Sequence, residues 1–261
     1  LSIDINKFQN YLKKNTKIIN KKYYNLNSKK QIKALIITHV NGLCCEIDIL
    51  KKICKANHIL LVEDAAESLG CKYKNISLGC FGDVGIVSFN GNKVITTGGG
   101  GAIIFKSKKK LDLAHHLSTN SKIFKKNDVI HDMIGYNYRL PSLNAALGIS
   151  QLKKLNFFLK QKKKLHNFYV KNFKNTDYNL LQPSEYTRSN YWLNTLLLTN
   201  KIKHKNLIIS ALRKKNINVR PIWRPIHYLK HFKNCPRMDL ENTIYIYKRA
   251  ICLPSSVFLI K

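Results

Sequence analysis

Three residues over a short span of the 261-residue chain have types and spacing that could do chemistry together: Asp64, Ser88 and Lys93. Asp64 follows the apolar run Ile59–Val62 in "ILLVEDAAESLG". An acid at the carboxyl end of a buried strand can face a ligand, because open parallel sheets bind ligands there. It can equally cap a helix over the following "AAES". Lys93 lies in "VSFNGNKVITTGGGG". A partly desolvated lysine amine captures carbonyl compounds as a Schiff base. Ser88, five residues earlier, offers a hydroxyl at a strand end where phosphate could sit. The glycines that follow permit close backbone approach. The plainer alternative is a glycine-rich hairpin carrying a solvated lysine. A P-loop is excluded because GxxxxGK[ST] is absent, and glycines between strand-like segments fit a dinucleotide fingerprint poorly.

Elements must bring these residues together. "KALIITHV" (33–40) reads as a buried strand, a short apolar run with β-branched residues. "EIDILKKICKANH" (46–58) reads as a helix, with Ile47, Leu50, Ile53 and Cys54 on one face. The run 59–62 is the next strand. Strand, helix, strand within about thirty residues makes a βαβ unit and predicts a parallel sheet. "GIVSFN" and "GAIIF" add two short strands that flank the Lys93 bend. Residues 108–165 read as helical, broken at "MIGYNYRLPS"; Pro141 marks a helix start, and Leu143, Ala146, Leu147 and Leu152 follow at helical spacing. "QKKKLHNFYVKNF" continues as a long amphipathic helix. Beyond "LQPSE" the pattern becomes strand ("NYWLNTLLLT"), helix ("HKNLIISALRKKN") and strand into loop ("INVRPIWRPI"). Residues 1–164 therefore read as a large α/β domain and 165–261 as a smaller α+β domain.

The chain is 44% hydrophobic, enough for a core, and no apolar run approaches the ~20 residues of a membrane span. The start, "LSIDINKFQN", lacks a signal-peptide layout, so a cytoplasmic location is expected. The formal charge is +32, from 46 Lys+Arg against 14 Asp+Glu. The lysines are scattered among Asn and Ile and do not interleave with aromatics as a stacking platform requires. No nucleic acid or membrane partner is expected, although a phosphate-bearing substrate would benefit from the field. The seven cysteines contain no CxxC, so reduced, mostly buried thiols and no metal site are expected.

An acid at a strand end and a lysine in a polar bend are what pyridoxal 5'-phosphate needs: the acid keeps the pyridine nitrogen protonated and the lysine holds the aldehyde. Three motifs in order, "VEDAAESLG", "GCFGDVGIVSFNGNKVITTGGGGAI" and "GYNYRLPSLNAALGISQL", resemble the DegT/DnrJ/EryC1/StrS family of sugar aminotransferases. The resemblance implies a pyridoxal phosphate-dependent transferase of fold type I, a three-layer αβα large domain with a smaller C-terminal domain. It implies Lys93 as the Schiff-base lysine and Asp64 as the partner of the pyridine nitrogen. Glu67 takes the place near the ring that is often Gln or His, and Ser88 contacts the phosphate. Asn137 is similar to the asparagine that reaches the cofactor phosphate of a neighbouring subunit, which implies a homodimer with shared sites. His39 in "THVNG" matches the family's HxxG turn and is expected to line the site. "NYWLN", "RPIWRPIH", "NCPRMDL" and "CLPSS" look most like the branch acting on nucleotide-linked 4-keto-6-deoxy sugars, with Arg220, Trp223 and His227 toward substrate; ordinary packing is the alternative. The implied reaction is transfer of an amino group, from glutamate, to the 4-keto sugar. A sugar dehydratase of the same fold replaces the lysine with histidine, so Lys93 argues against it. Family members usually begin about a hundred residues earlier, with a Gly-Thr helix terminus that cradles phosphate and a ring-stacking aromatic. The expectation is a chain cut at both ends that binds cofactor poorly alone, with an inactive remnant or a sugar-nucleotide-binding module as the alternative.

Overall fold

The computed structural model describes residues 1–199 and 204–260. The chain opens with helix α1 (Ile5–Asn15), whose N-cap Asp4 accepts the amide of Lys7 at 2.9 Å. A hairpin follows, β1 (Thr16–Ile19) and β2 (Lys22–Asn25). Then come β3 (Ala34–Thr38), α2 (Ile47–Ala56) and β4 (Leu60–Asp64), which form the expected βαβ unit. The small strands β5 (Lys72–Tyr73) and β6 (Ile76–Ser77) precede β7 (Val84–Ser88) and β8 (Gly101–Phe105).

The central sheet has the order β3-β4-β7-β8, with β3, β4 and β7 parallel and β8 antiparallel. Thr38 pairs with Asp64, and Asp64 with Ile86, so the carboxyl ends of the three parallel strands align. One face of the sheet is covered. Ile37, Leu61 and the apolar stripe of α2 (Ile47, Leu50, Ile53, Cys54) form the main core with Phe8 and Leu12 of α1 and with Tyr73, Leu78 and Phe81. The opposite face is open in this chain, with Ile36 66% and Ile103 54% exposed. Gly85 lies where a Cβ would come within 2.0 Å of the Gly79 carbonyl, so the 79–82 loop closes directly on the sheet.

Next are α3 (Lys108–Ser118), a second hairpin of β9 (Lys122–Lys125) and β10 (Asp128–His131), α4 (Ser142–Lys153) and α5 (Leu155–Phe173). The β9–β10 hairpin corrects the helical reading of 108–165. The segment has two short β runs around a polar Lys-Lys-Asn turn, and alternation over four residues is weak against a helical background. The "AAES" helix does not form either. Those residues turn instead, with the Ser68 hydroxyl on the His39 carbonyl at 3.1 Å and the Glu67 carboxylate on the Asn41 amide at 2.8 Å. The spacing in α4 is helical as read, yet its apolar residues face outward, Leu143 being 84% exposed.

The C-terminal part holds β11 (Tyr178–Leu180), β12 (Thr187–Arg188), β13 (Asn194–Leu198), α6 (Lys205–Lys214), β14 (Arg220–Pro221), α7 (Glu241–Arg249) and β15 (Ala250–Leu253). Its antiparallel sheet runs β11-β13-β15-β14, with Leu196, Leu198, Ile251 and Leu253 packed against Ile209 of α6 and Tyr169 and Phe173 of α5. The strand expected across "NYWLNTLLLT" begins only at Asn194. Asn190–Trp192 form a loop that bears on the site.

Candidate active site

Lys93 sits on an excursion between β7 and β8. The excursion is closed by the Phe89 amide on the Gly100 carbonyl at 3.0 Å and the Thr97 amide on the Phe89 carbonyl at 2.9 Å. Val94 and Ile95, just after the lysine, are buried with Phe158 and Trp192. Burying this pair fixes the backbone on one side of Lys93. On the other side the Lys93 amide bonds the Asn90 carbonyl at 3.0 Å. The glycines have separate duties: Gly98 (φ +81°) and Gly100 (φ +92°) take the left-handed region, and Gly101 passes so close to the Val87 carbonyl that a Cβ would sit 2.4 Å from it.

Asp64 ends β4 on the open face of the sheet. Its Oδ1 accepts the Ala66 amide at 3.1 Å, an Asx turn in place of the helix cap, and among the described residues its Oδ2 meets only the Thr38 hydroxyl, at a long 3.4 Å. Ser88 ends β7 on the same face, and its hydroxyl accepts the Asn90 amide at 3.3 Å. Glu67 stands between the sheet and the C-terminal part. Burial raises the pKa of its carboxyl above the ordinary range, the Asn41 amide and the charges of Lys93 and Arg220 pull it back, and Asp64 adds to the rise. Glu67 is therefore in electrostatic reach of Lys93, Asp64 and Arg220 together.

The C-terminal part supplies an aromatic wall. The Lys93 ammonium lies 4.3 Å from the ring centre of Trp192. Trp192 stacks on Trp223 with centroids 5.7 Å apart, and the Arg220 guanidinium lies over both rings, at 5.9 and 5.0 Å. Beside this group opens a cavity of about 840 Å³ whose lining includes Thr38, Val40, Glu67, Trp223, Arg224 and Tyr247.

Six expected residues thus gather at one end of the sheet: Asp64, Glu67, Ser88, Lys93, Arg220 and Trp223. Three do not join them. His39 is fully buried, and its Nε2 meets the equally buried Glu63 carboxylate at 2.9 Å. It has no surface to offer a substrate, which corrects its expected role: it ties the end of β3 to β4. His227 lines a neighbouring cavity with Phe232, Cys235 and Arg237. Asn137 is exposed on the segment before α4, bridged to Thr119. Sequence reasoning missed Trp192 and Glu63. An acid within an apolar strand, as in "LLVED", is a readable signal because a buried carboxylate must find partners. Trp192 lies inside "NYWLN", a string that resembles the nucleotide-sugar branch but does not single out the indole.

The donor set suits a phosphorylated aromatic aldehyde. It has a lysine amine on an aromatic platform, a carboxylate with one oxygen nearly free, and a hydroxyl at a strand end beside it.

The family profile described as the DegT/DnrJ/EryC1/StrS aminotransferase family matches residues 2–260. EpsN of Bacillus subtilis, to which a pyridoxal phosphate-dependent aminotransferase activity is ascribed, is 35% identical over 232 residues, covering 85% of this chain and 58% of that protein. GDP-perosamine synthase of Vibrio cholerae is 31% identical over 230 residues, covering 87% and 62%. Among solved structures, Helicobacter pylori PseC, an aminotransferase involved in the biosynthesis of pseudoaminic acid, superimposes with a TM-score of 0.82 at 26% identity over 87% of this chain and 62% of its own. The chain spans about 60% of the length of these curated relatives. Their similarity extends to the fold type I architecture, and pyridoxal phosphate is the cofactor that goes with it. With a profile that matches along its length and relatives above 30% identity, the chain belongs to the DegT/DnrJ/EryC1/StrS aminotransferase family.

Proposed function

We propose that the protein transfers an amino group, from glutamate, to the 4-keto carbon of a nucleotide-linked 4-keto-6-deoxy sugar, for surface-polysaccharide or nonulosonic acid synthesis. The observation that carries this reading is the convergence of Asp64 and Lys93 at the carboxyl edge of one sheet, beside a cavity walled by Glu67 and Trp223. Bound pyridoxal phosphate supplies the carbonyl that Lys93 captures and an aromatic ring that accepts electrons. Asp64 holds the proton on the ring nitrogen. Ser88 receives the phosphate, with Asn137 of a second copy as a further donor in a homodimer. Lys93, with its amine free, would act as the acid/base that delivers the proton the sugar's C4 gains and removes the one the cofactor's amine-bearing carbon loses. Glu67, whose pKa is raised by burial, stands beside it as a second proton holder. Arg220 and Trp223 face the substrate. The reading keeps residues 1–164 as the cofactor-binding unit and 165–261 as the smaller one, in a cytoplasmic enzyme. The relatives named for GDP-perosamine support the sugar class.

The test is borohydride reduction of the protein loaded with pyridoxal phosphate, then peptide mass mapping. The pyridoxyl group is expected on Lys93. Label on another lysine, or none in a full-length protein saturated with pyridoxal phosphate, overturns the assignment. Transfer of ¹⁵N from glutamate to GDP- and UDP-4-keto-6-deoxy sugars then reads the substrate.

A further inference from the structure

Lys93 has a long, flexible side chain whose direction its own loop does not fix. The buried Val94–Ile95 pair holds the backbone only. Among the described residues Lys93 takes part in no ion pair. What meets its amine is the indole of Trp192, with the ammonium 4.3 Å from the ring centre. The electron-rich face of an indole attracts a cation, most strongly where water is displaced, and Trp192 is only 3% exposed.

Trp192 is itself held from several directions. Its ring N–H donates to the Asn92 carbonyl at 2.7 Å, so the ring is tied to the residue just before Lys93. Its backbone amide donates to Asn190 Oδ1 at 2.9 Å, and its carbonyl accepts from Lys162 Nζ at 3.1 Å. Lys162 is a buried lysine of α5 that, among the described residues, takes part in no ion pair and donates to main-chain carbonyls, including that of Ser255 at 2.7 Å. Burial lowers its pKa to about 8. Asn190, fully buried, donates from its amide to the carbonyls of Glu67 and Leu69, at 2.9 and 3.0 Å. Tyr191 adopts φ +48°, a left-handed backbone that a non-glycine residue holds only when its surroundings impose it. The 190–192 loop is thus an over-determined bracket, and Trp192 is the part of it that touches Lys93.

We propose that Trp192 is the positioning residue for Lys93: its indole face sets the direction of the amine, and its ring N–H registers that face to the lysine's loop. The inference rests on the reading of Lys93 as the reacting amine. The bracket couples a residue of the C-terminal part to the reacting group of the central sheet. Trp192 bonds to Asn92, Asn190 to the segment of Glu67, and Trp223 and Arg220 stack against the same ring. A displacement at Trp223 would therefore be felt at Lys93 through one ring.

The experiment reads the amine directly. The native protein, Trp192→Phe and Trp192→Leu are treated with formaldehyde and cyanoborohydride, and methylation at each lysine is followed by mass spectrometry, normalised to the exposed Lys160. Trp192→Leu removes ring and N–H, and the normalised rate at Lys93 is expected to rise about tenfold, the size of a desolvated cation–π contact. Trp192→Phe keeps an aromatic face and is expected to rise about two- to threefold. An unchanged rate in either variant overturns the proposal. If Trp192→Leu does not fold, the Trp192→Phe result decides alone. In turnover, a positioning role lowers kcat in Trp192→Phe with KM for the amino donor unchanged; a change in KM alone counts against it. If pyridoxyl label misses Lys93 in the native protein, the proposed function fails, while the methylation rates still decide the role of Trp192.

Discussion

Glu63 and Asp64 are adjacent in sequence and end the same strand, but they face opposite sides of the sheet and lead opposite lives. Glu63 is fully buried and saturated: its carboxylate accepts the amides of Gly79, Phe81 and Gly82 at 2.6–2.9 Å and meets His39 at 2.9 Å. Burial raises its pKa, but the His39 hydrogen bond and the amides of Gly82 and Gly79 outweigh that, leaving it below the ordinary value. Asp64, on the open face, keeps Oδ2 almost free. Two carboxylates one position apart thus divide the work. The saturated one holds the 79–82 loop on the sheet, and the unsaturated one remains available to a ligand. Hydrogen-bond saturation, more than burial or proximity to a lysine, separates an acid committed to the fold from one left with a free oxygen.

The sharpest way to break this division is on the open face. Lys93→Ala is expected to lower amino transfer about 10³-fold while the melting temperature falls by only about 2–5 °C, since among the described residues its amine makes no ion pair and loses only its contact with Trp192. Single-turnover kinetics beside a thermal melt check both halves. On the covered face the effect should be purely one of stability. Glu63→Gln breaks a buried pair and is expected to cost about 3 kcal/mol in urea unfolding, with the m-value unchanged. An activity loss larger than the stability loss would contradict the division. Asp64→Asn retains an acceptor for the Ala66 amide. It is expected to lose on the order of 100-fold in transfer while unfolding changes by less than about 0.5 kcal/mol.

Smaller and more discriminating is the pH dependence of the two glutamates. The lowered pKa of Glu63 means that its contribution is fully present above the ordinary 4.5 and is lost as pH falls through the lowered value. The stability gap between native protein and Glu63→Gln should therefore be constant from neutrality down to about 4.5 and close below it. Glu67 has a raised pKa, so the sign reverses: its favourable contribution is present below 4.5 and lost as pH rises through the raised value. Glu67→Gln should gain stability over the native protein at neutral pH and lose that gain in acid. Urea midpoints across pH measure both. The smallest effect belongs to the exposed pair Lys74–Asp48, 2.8 Å apart, whose removal by Asp48→Asn should cost less than about 1 kcal/mol.

The βαβ unit was legible because long apolar runs and a 3.6-residue stripe leave few alternatives, and its boundaries fall within two residues at β3, α2 and β4. The two hairpins were not legible. Lys17–Ile19 and Lys122–Lys125 are lysine-rich and largely exposed, so neither burial nor strict alternation marks them. Asp64, Ser88 and Lys93 could be read as candidates because strand ends and a glycine run are local signals. His39 was expected at the site, and Glu63 went unnoticed as its buried partner, because a sequence records that a polar residue sits at a strand end, but not which face it points to. A one-residue step inverts that face. Trp192 was illegible for another reason. Its hydrogen bond to Asn92 spans 100 residues, and no local pattern reports so distant a partner.

That span has a consequence in time. During synthesis the chain emerges at roughly 5–20 residues per second. The Lys93 loop therefore leaves the ribosome roughly 5–20 s before Trp192 does, given the 100-residue separation, and the βαβ unit earlier still. In that interval the lysine's loop has its glycine turns but no ring against its amine, and the indole that holds Val94 and Ile95 in their cluster has not arrived. A nascent chain paused after β8 would carry an accessible Lys93, and one released after β15 a shielded one. The Lys93 amine is thus covered late, by a contact that forms only when the C-terminal sheet closes back on the first half of the chain.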